Sequence, residues 1–158
     1  MKLLVKLYDI GALISFSAMF FCVMVEVISR NIILIPTTWA EECSRFFCVW
    51  TVFLGSASAW YRGSHIVITG LVQRMPGTVQ KALLLAVELI CTGFLVAVWI
   101  GTAVIMKISY NTTTTAMEIS ISYFYLALFL GFLGMIVFQV RKLVYNFYKR
   151  QASKSDSL

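Results

Sequence analysis

Two acidic residues, Glu26 and Glu88, lie inside long apolar runs of the sequence. A charge near the centre of a bilayer costs about 2.5–3.5 kcal/mol on insertion scales, so such an acid is a candidate for proton coupling or for a structural ion pair. Arg30 follows Glu26 by four residues, which is the favourable order for a pair within one helix. The spacing predicts an internal Glu26–Arg30 pair or a contact of these residues with another subunit. For Glu88 we expect pairing with a base such as Arg62 or with a partner chain, the alternative being a proton-coupling carboxylate.

A second charged group consists of Glu41, Glu42 and Arg45, which fall within about one helical turn next to Trp39. Trp39 is typical of the aromatic belt at a membrane surface. The segment 38–41 has the pattern of a capping box, in which the residue at 38 is the N-cap and Glu41 reaches back to it. This group is therefore predicted to be either a solvated interfacial turn or a surface that meets a partner.

The remaining polar residues do not assemble a catalytic or metal-binding set. His65 is the one histidine, and we expect it to form interfacial hydrogen bonds or, alternatively, to act as a pH switch. The four cysteines form no CxxC motif and are predicted to be packing residues. Gly55 and Ala59 form a small-xxx-small pair that lets helices approach closely in lipid, either within the bundle or against a partner. The sequence thus predicts a protein that is not an enzyme and that carries no cofactor or metal.

The composition of the chain indicates that these residues lie in or near a lipid bilayer. Hydrophobic residues make up 60% of the 158 and charged residues only 13%, and the mean hydropathy is +0.87. About 25% charged residues is usual in soluble domains. Apolar runs long enough to cross about 30 Å of hydrocarbon are predicted at 10–35, 46–61 with an interfacial extension back to Trp39, 82–106 and 119–140. The predicted fold is an all-α integral membrane domain of four helices over residues 1–150, with a flexible tail at 151–158.

The basic residues indicate an orientation. The net charge of +6 comes from Lys and Arg placed between the apolar runs, which is a membrane pattern and does not indicate nucleic-acid binding. Ten of the 13 fall in the two terminal segments and the middle loop, and three fall on the opposite side. Both termini are therefore predicted to be cytoplasmic. A short amphipathic helix is expected in the middle loop up to Met75, and a second capping box at 115–118 is expected to begin the fourth helix.

An ordered series of residues also resembles the small membrane subunit (DctQ type) of tripartite ATP-independent periplasmic (TRAP) transporters. The series is Arg30, Trp39-Ala40-Glu41-Glu42, Arg45, Trp50, Phe53-Leu54-Gly55, Ala59, Arg62-Gly63, His65-Ile66, Leu71 and Met75-Pro76. It spans about 45 residues with matching spacing, and the four-helix layout extends the resemblance over nearly the whole chain. Ser120 departs from the pattern, since many members have a proline there.

The resemblance implies a place in a larger assembly. A periplasmic binding protein would deliver an organic acid, such as a C4-dicarboxylate or sialic acid, to a complex of a large and a small subunit in the bacterial inner membrane. The large subunit would carry the sodium and substrate sites, and this chain would support it and help to present a docking surface, among membrane lipids. The competing hypothesis is an autonomous four-helix transporter or proton channel that uses Glu88 or Glu26.

Overall fold

The computed structural model describes residues 2–34, 37–62 and 77–155. Four long helices account for most of them: α1 (Lys2–Ile28), α2 (Thr38–Tyr61), α3 (Gly77–Ile108) and α4 (Ser122–Ser155). A π-helical turn, Ser29–Ile33, follows α1, and a 3-10 turn, Ser109–Asn111, follows α3. The all-helical architecture is confirmed. The predicted interfacial helix of the middle loop, with Gly63 and His65, lies outside the described residues.

Three of the four helices have the length and apolar composition to cross a membrane. These segments are Leu3–Ile32, Ala86–Asn111 and Ser122–Val144. α2 is more polar than α1 and α3, because charged residues occupy its first two turns and serine, threonine and tryptophan recur along it. Its uncharged part, 46–61, would span only about 24 Å at about 1.5 Å per residue. A membrane crossing by α2 therefore stays a prediction.

The helices form an open layer in the spatial order α1, α2, α4, α3. α2 packs between α1 and α4, and α3 packs on the other side of α4. The two edge helices, α1 and α3, consequently leave most of their apolar side chains exposed, whereas α4 is the most buried of the three candidate spans. A small buried hydrophobic cluster joins α2, α3 and α4 and contains Ala57, Leu95 and Met135.

The close contact between α2 and α4 depends on a glycine of α4. A Cβ added at Gly131 would lie 2.8 Å from the Cβ atom of Phe53 and 2.9 Å from the Phe53 carbonyl oxygen. In contrast, a Cβ at Gly55 would meet nothing within 4 Å, so Gly55 makes no close helix contact among the described residues, and close packing of Gly55 against a partner stays a prediction. On this part of α2 the fully buried small residue is Ala57 instead.

Several helix termini differ from the sequence predictions. The N-cap of α2 is Thr37 and not Thr38, and its side chain makes no capping hydrogen bond. α4 begins at Ser122, so the predicted capping box at 115–118 does not begin this helix. The backbone turns at Leu34 and Glu118, which have φ of 60° and 51°. At its other end α4 continues to Ser155, into the segment predicted to be a tail.

The predicted Glu26–Arg30 ion pair does not form between these two described residues. The π-helical turn begins at Ser29, between them, and its wider spacing removes the regular four-residue register that would bring the two side chains together. Glu26 is half-buried on α1 and Arg30 is exposed on the turn.

Candidate functional site

The two ends of the helix layer carry its main polar contacts. We call one of them the loop end, which comprises residues 29–34, 37–45 and 109–121, where α1 connects to α2 and α3 connects to α4. The opposite one is the terminal end, which comprises residues 6–9, 58–62 and 139–142. Hydrogen bonds between distant segments define both ends, since Glu42 contacts the loop after α3 and Asp9 contacts the last turn of α2.

At the loop end, the carboxylate of Glu42 holds the connection between α3 and α4. Its Oε1 accepts a hydrogen bond from the Thr115 hydroxyl at 2.8 Å and from the Ala116 backbone N–H at 3.0 Å. Its Oε2 accepts one from the Met117 backbone N–H at 2.9 Å. Both carboxylate oxygens are thus engaged, and α2 is joined to a loop more than 70 residues later in the chain.

These contacts fix the ionisation state of Glu42. Desolvation of the carboxylate opposes ionisation, but the hydrogen bonds from the Met117 N–H, the Thr115 hydroxyl and the Ala116 N–H outweigh it and lower the pKa of Glu42 to about 2. Glu42 is therefore a fixed anion at neutral pH. Its contribution to holding the loop is complete above the ordinary pKa of 4.5 and is lost only as the pH falls toward 2.

The loop that Glu42 holds has its own internal bonds. Thr113 and Ser120 form an isolated antiparallel bridge, in which the Thr114 N–H binds the Ile119 carbonyl at 2.9 Å. The Ser120 hydroxyl donates to the Tyr110 carbonyl at 2.8 Å. The departure from the family pattern at position 120 thus supplies a hydrogen bond that a proline could not make. Residues 112–121 present one folded surface.

Glu41 and Arg45 form an ion pair beside this loop, at i and i+4 of α2. Both side chains are substantially exposed, at 45% and 70%. Glu41 therefore pairs along the helix and does not cap it as predicted. Trp39, which is 49% exposed, lies on the first turn of the same helix. The predicted residues Trp39, Glu41, Glu42 and Arg45 are thus gathered at the loop end, with Glu42 bound and the others accessible.

At the terminal end, Asp9 of α1 joins the last turn of α2. Ser58 donates its hydroxyl to Asp9 Oδ1 at 2.5 Å, and Arg62 donates from Nη2 to Asp9 Oδ2 at 2.6 Å. Arg62, the base expected near Glu88, is therefore bound to Asp9. Asp9 is not among the site residues predicted from the sequence, because it lies before the first predicted apolar run. The sequence does contain a signal for this pair, namely an acid at the start of one helix and a base at the end of the next. Such positions meet when two consecutive helices pack antiparallel.

Two further hydrogen bonds join α4 to the terminal end. The Tyr8 hydroxyl donates to the Leu130 carbonyl at 2.9 Å, and the Trp60 indole N–H donates to Gln139 Oε1 at 3.0 Å. Gln139 is buried, with 2% of its surface exposed, so its side chain requires a polar partner in this apolar setting. Hydrogen bonds of this kind fix the register of neighbouring helices in lipid.

We expect Asp9→Ala and Arg62→Ala each to lower the melting temperature of the purified protein by about 2–4 °C, because each removes one partner of an exposed pair worth about 1 kcal/mol. The double variant should show a coupling of about 0.5–1 kcal/mol in a thermal-unfolding cycle. Lys6→Ala is the matched control, since Lys6 is exposed at the same end. Additive effects of the two substitutions would show that the contact contributes nothing to stability.

The other predicted residues are dispersed along the helices. Trp50 packs against Phe46, with ring centroids 6.0 Å apart, within an aromatic group that includes Phe124 of α4. Glu88 is half-buried on α3, three turns or so from the start of that helix. Cys22 of α1 and Cys43 of α2 place their sulfur atoms 3.2 Å apart, a contact that the sequence did not indicate.

The arrangement of polar contacts at the two ends of the layer suits binding to another protein and structural support of it. In residues 2–34, 37–62 and 77–155 there is no group of three or more His, Cys, Asp or Glu side chains that could hold a metal ion. The polar networks at the loop end and the terminal end each connect helices to one another. The exposed surface of the loop end combines an ion pair, a tryptophan and a folded loop, which is a suitable composition for contact with another protein.

A protein-family model described as "Tripartite ATP-independent periplasmic transporters, DctQ component" matches residues 19–148 of the chain. The match includes α2, α3 and the Glu42-bound loop, together with the last third or so of α1 and most of α4. Comparison with curated proteins gives no match.

Proposed function

We propose, because the chain belongs to the DctQ component family of tripartite ATP-independent periplasmic transporters, that it is the scaffold subunit of a sodium-coupled importer of an organic acid. The family assignment makes it a small membrane component of a TRAP transporter. We propose in addition that the chain supports a large subunit and contacts a periplasmic binding protein. The substrate would be a carboxylate of the C4-dicarboxylate or sialic acid class, and sodium would bind to the large subunit.

The observation that carries this proposal is the distribution of polar contacts. The networks around Glu42 and around Asp9 lie at opposite ends of the layer, and the buried hydrophobic cluster of Ala57, Leu95 and Met135 lies beside the second network. Polar networks that join helices to one another at their ends suit support of a partner better than transfer of an ion. The edge helices α1 and α3 also expose apolar faces, which would contact the large subunit or lipid.

The loop end would face the periplasm of a bacterial inner membrane. The distribution of Lys and Arg supports this orientation, because the terminal end contains Arg62, Arg141 and Lys142. The positive-inside rule places such residues on the cytoplasmic side. All four helices would then cross the membrane, with α2 buried between its neighbours. The binding protein would approach the surface formed by Trp39, the Glu41–Arg45 pair and the loop 112–121.

Co-purification tests the subunit role. The tagged chain is expressed with and without a large TRAP membrane subunit encoded beside it, and each preparation is sized in detergent. We expect a stable one-to-one complex in the first case and poor behaviour of the chain alone in the second. A homo-oligomer that ignores the large subunit and moves substrate after reconstitution would overturn the proposal in favour of an autonomous transporter.

We further expect Glu88→Gln to weaken the complex with the large subunit more than it changes sodium coupling, because a half-buried acid on an apolar helix serves here as a structural charge. The yield of co-purified complex is compared with the sodium-to-substrate stoichiometry in proteoliposomes. Ser17→Ala on α1 serves as a control for removal of an exposed polar group, since the Ser17 hydroxyl binds its own helix backbone. A changed stoichiometry in an intact complex would contradict the prediction.

A further inference from the structure

Two of the four cysteines are in direct contact across the seam between the first two helices. Cys22 is buried on α1, Cys43 is half-buried on α2, and their Sγ atoms are 3.2 Å apart. The other two, Cys48 and Cys91, lie on α2 and α3. Disulfide sulfurs are about 2.05 Å apart, so the Cys22 and Cys43 sulfurs need to approach by about 1 Å.

We propose that Cys22 and Cys43 form an oxidisable dithiol, a modification site that closes into a disulfide and links α1 covalently to α2. In this reaction the two S–H bonds break and one S–S bond forms, and two protons and two electrons pass to the oxidant. A disulfide-carrying oxidant would take them up by thiol–disulfide exchange and leave as a dithiol. A diazene oxidant would take them up by reduction of its N=N bond to a hydrazine.

The position of the pair makes it reachable from the loop end. Cys43 directly follows Glu42, whose carboxylate binds the loop surface, so the Cα atom of Cys43 lies about 1.5 Å from that of Glu42 along the helix axis. Under the orientation proposed above, this is the oxidising periplasmic side, where disulfides form and persist. The cellular source of oxidant thus rests on the proposed function, whereas formation of the bond by an added oxidant does not.

The chemical environment sets the conditions of the reaction. Burial and the neighbouring Cys22 thiol raise the pKa of Cys43, so the thiolate form is disfavoured at neutral pH. Oxidation by air is therefore expected to be slow, and a reagent that enters the membrane and reacts at moderately alkaline pH is the appropriate probe. The contact between the two sulfurs offsets this slow first step, because it holds the second thiol next to the product that the first thiol forms with the oxidant.

The test uses the full-length chain purified in detergent, with its large subunit where the two co-purify, and the diazene reagent diamide at pH 8.5. The variant C48S/C91S retains only the contacting pair. Its thiols are counted by the gel shift of polyethylene-glycol maleimide adducts, before oxidation, after oxidation and after subsequent reduction. We expect two adducts, then none, then two again, with no increase in the mass of the unlabelled chain. Retention of both adducts after diamide, or the appearance of cross-linked dimers, would overturn the proposal.

The variant C22S/C91S is the matched control, since it retains Cys43 and Cys48. These lie five residues apart on α2 and therefore about 140° apart around the helix. This variant should keep both adducts after diamide. Peptide mass spectrometry of the unsubstituted protein provides a second measurement that does not depend on any variant folding. A linked peptide pair containing Cys22 and Cys43 is expected after oxidation, and its absence would also overturn the proposal. Failure of co-purification, in contrast, would overturn only the proposed function.

Discussion

Replacement of Gly131 by alanine is expected to destabilise the protein by about 1–2 kcal/mol, and replacement by leucine to prevent stable packing of α2 on α4. An alanine gains about 0.5–1 kcal/mol from its better helix propensity. The added methyl group, however, would lie 2.8–2.9 Å from Cβ and the carbonyl oxygen of Phe53, and overpacking of this kind costs about 1–3 kcal/mol. The steric cost outweighs the gain because the obstructing atoms include α2 backbone, which cannot rotate away as a side chain can.

Two glycines of α3 provide matched controls for this prediction. A Cβ at Gly93 or at Gly101 would meet nothing within 4 Å, and both residues are exposed. Gly93→Ala and Gly101→Ala should therefore leave the melting temperature unchanged or raise it by a few degrees. Thermal unfolding in detergent, followed by loss of the monodisperse size-exclusion peak, measures all three. Equal melting temperatures for Gly131→Ala and Gly101→Ala would show that the close approach of α2 and α4 is not required.

The comparison of Gly55 with Gly131 also shows what a sequence can predict about this fold. Long apolar runs identify helices directly, and all four predicted runs fall within helices, apart from the last residues of the first run and the start of the fourth. The neighbours of each helix depend on which small residues face one another, and composition along a single helix does not contain that information. Gly55 has the favourable small-xxx-small spacing, yet the close contact is made at Gly131.

The capping boxes failed for a related reason. A capping box is a local motif, and at 115–118 a tertiary contact takes its place, since the Thr115 hydroxyl and the Met117 N–H both bind Glu42 of a distant helix. The positive φ of Leu34 and of Glu118 likewise carries no sequence signal, because both positions would normally favour glycine or asparagine. Local pattern thus located the polar segments correctly, but it assigned Glu41 a capping role and did not indicate the distant loop that binds Glu42.

Replacement of Glu42 by glutamine is expected to release the loop between α3 and α4 and to reduce substrate uptake strongly. The carboxylate accepts hydrogen bonds on both oxygens, from Thr115 and Ala116 on one and from Met117 on the other. An amide has one acceptor oxygen and would turn its NH₂ group toward a donor, which leaves at least one of these bonds unmade. Backbone amide exchange in 112–121 should become on the order of tenfold faster, because the loop opens locally.

The neighbouring Glu41 supplies the control. Glu41→Gln removes an exposed i, i+4 pair with Arg45, and such pairs contribute only about 0.3–0.5 kcal/mol. Loop exchange should therefore stay at the wild-type rate in Glu41→Gln, after correction for pH, whereas it rises in Glu42→Gln. Reversal of both charges, as Glu41→Arg with Arg45→Glu, tests the exposed surface for docking of the binding protein without disturbing Glu42.

The pH dependence of loop protection shows whether the loop is bound by an ionised carboxylate or by a neutral polar side chain. With the pKa of Glu42 lowered to about 2, the wild-type loop should keep its protection from exchange between pH 8 and pH 5 and lose it only in stronger acid. Glu42→Gln, which resembles the protonated side chain, should lack that protection at every pH. If the wild-type loop were already unprotected near pH 5, the carboxylate would have an ordinary pKa and could not be bound by three donors. Slow exchange in both proteins would instead mean that the bridge between Thr113 and Ser120 holds the loop without help from α2.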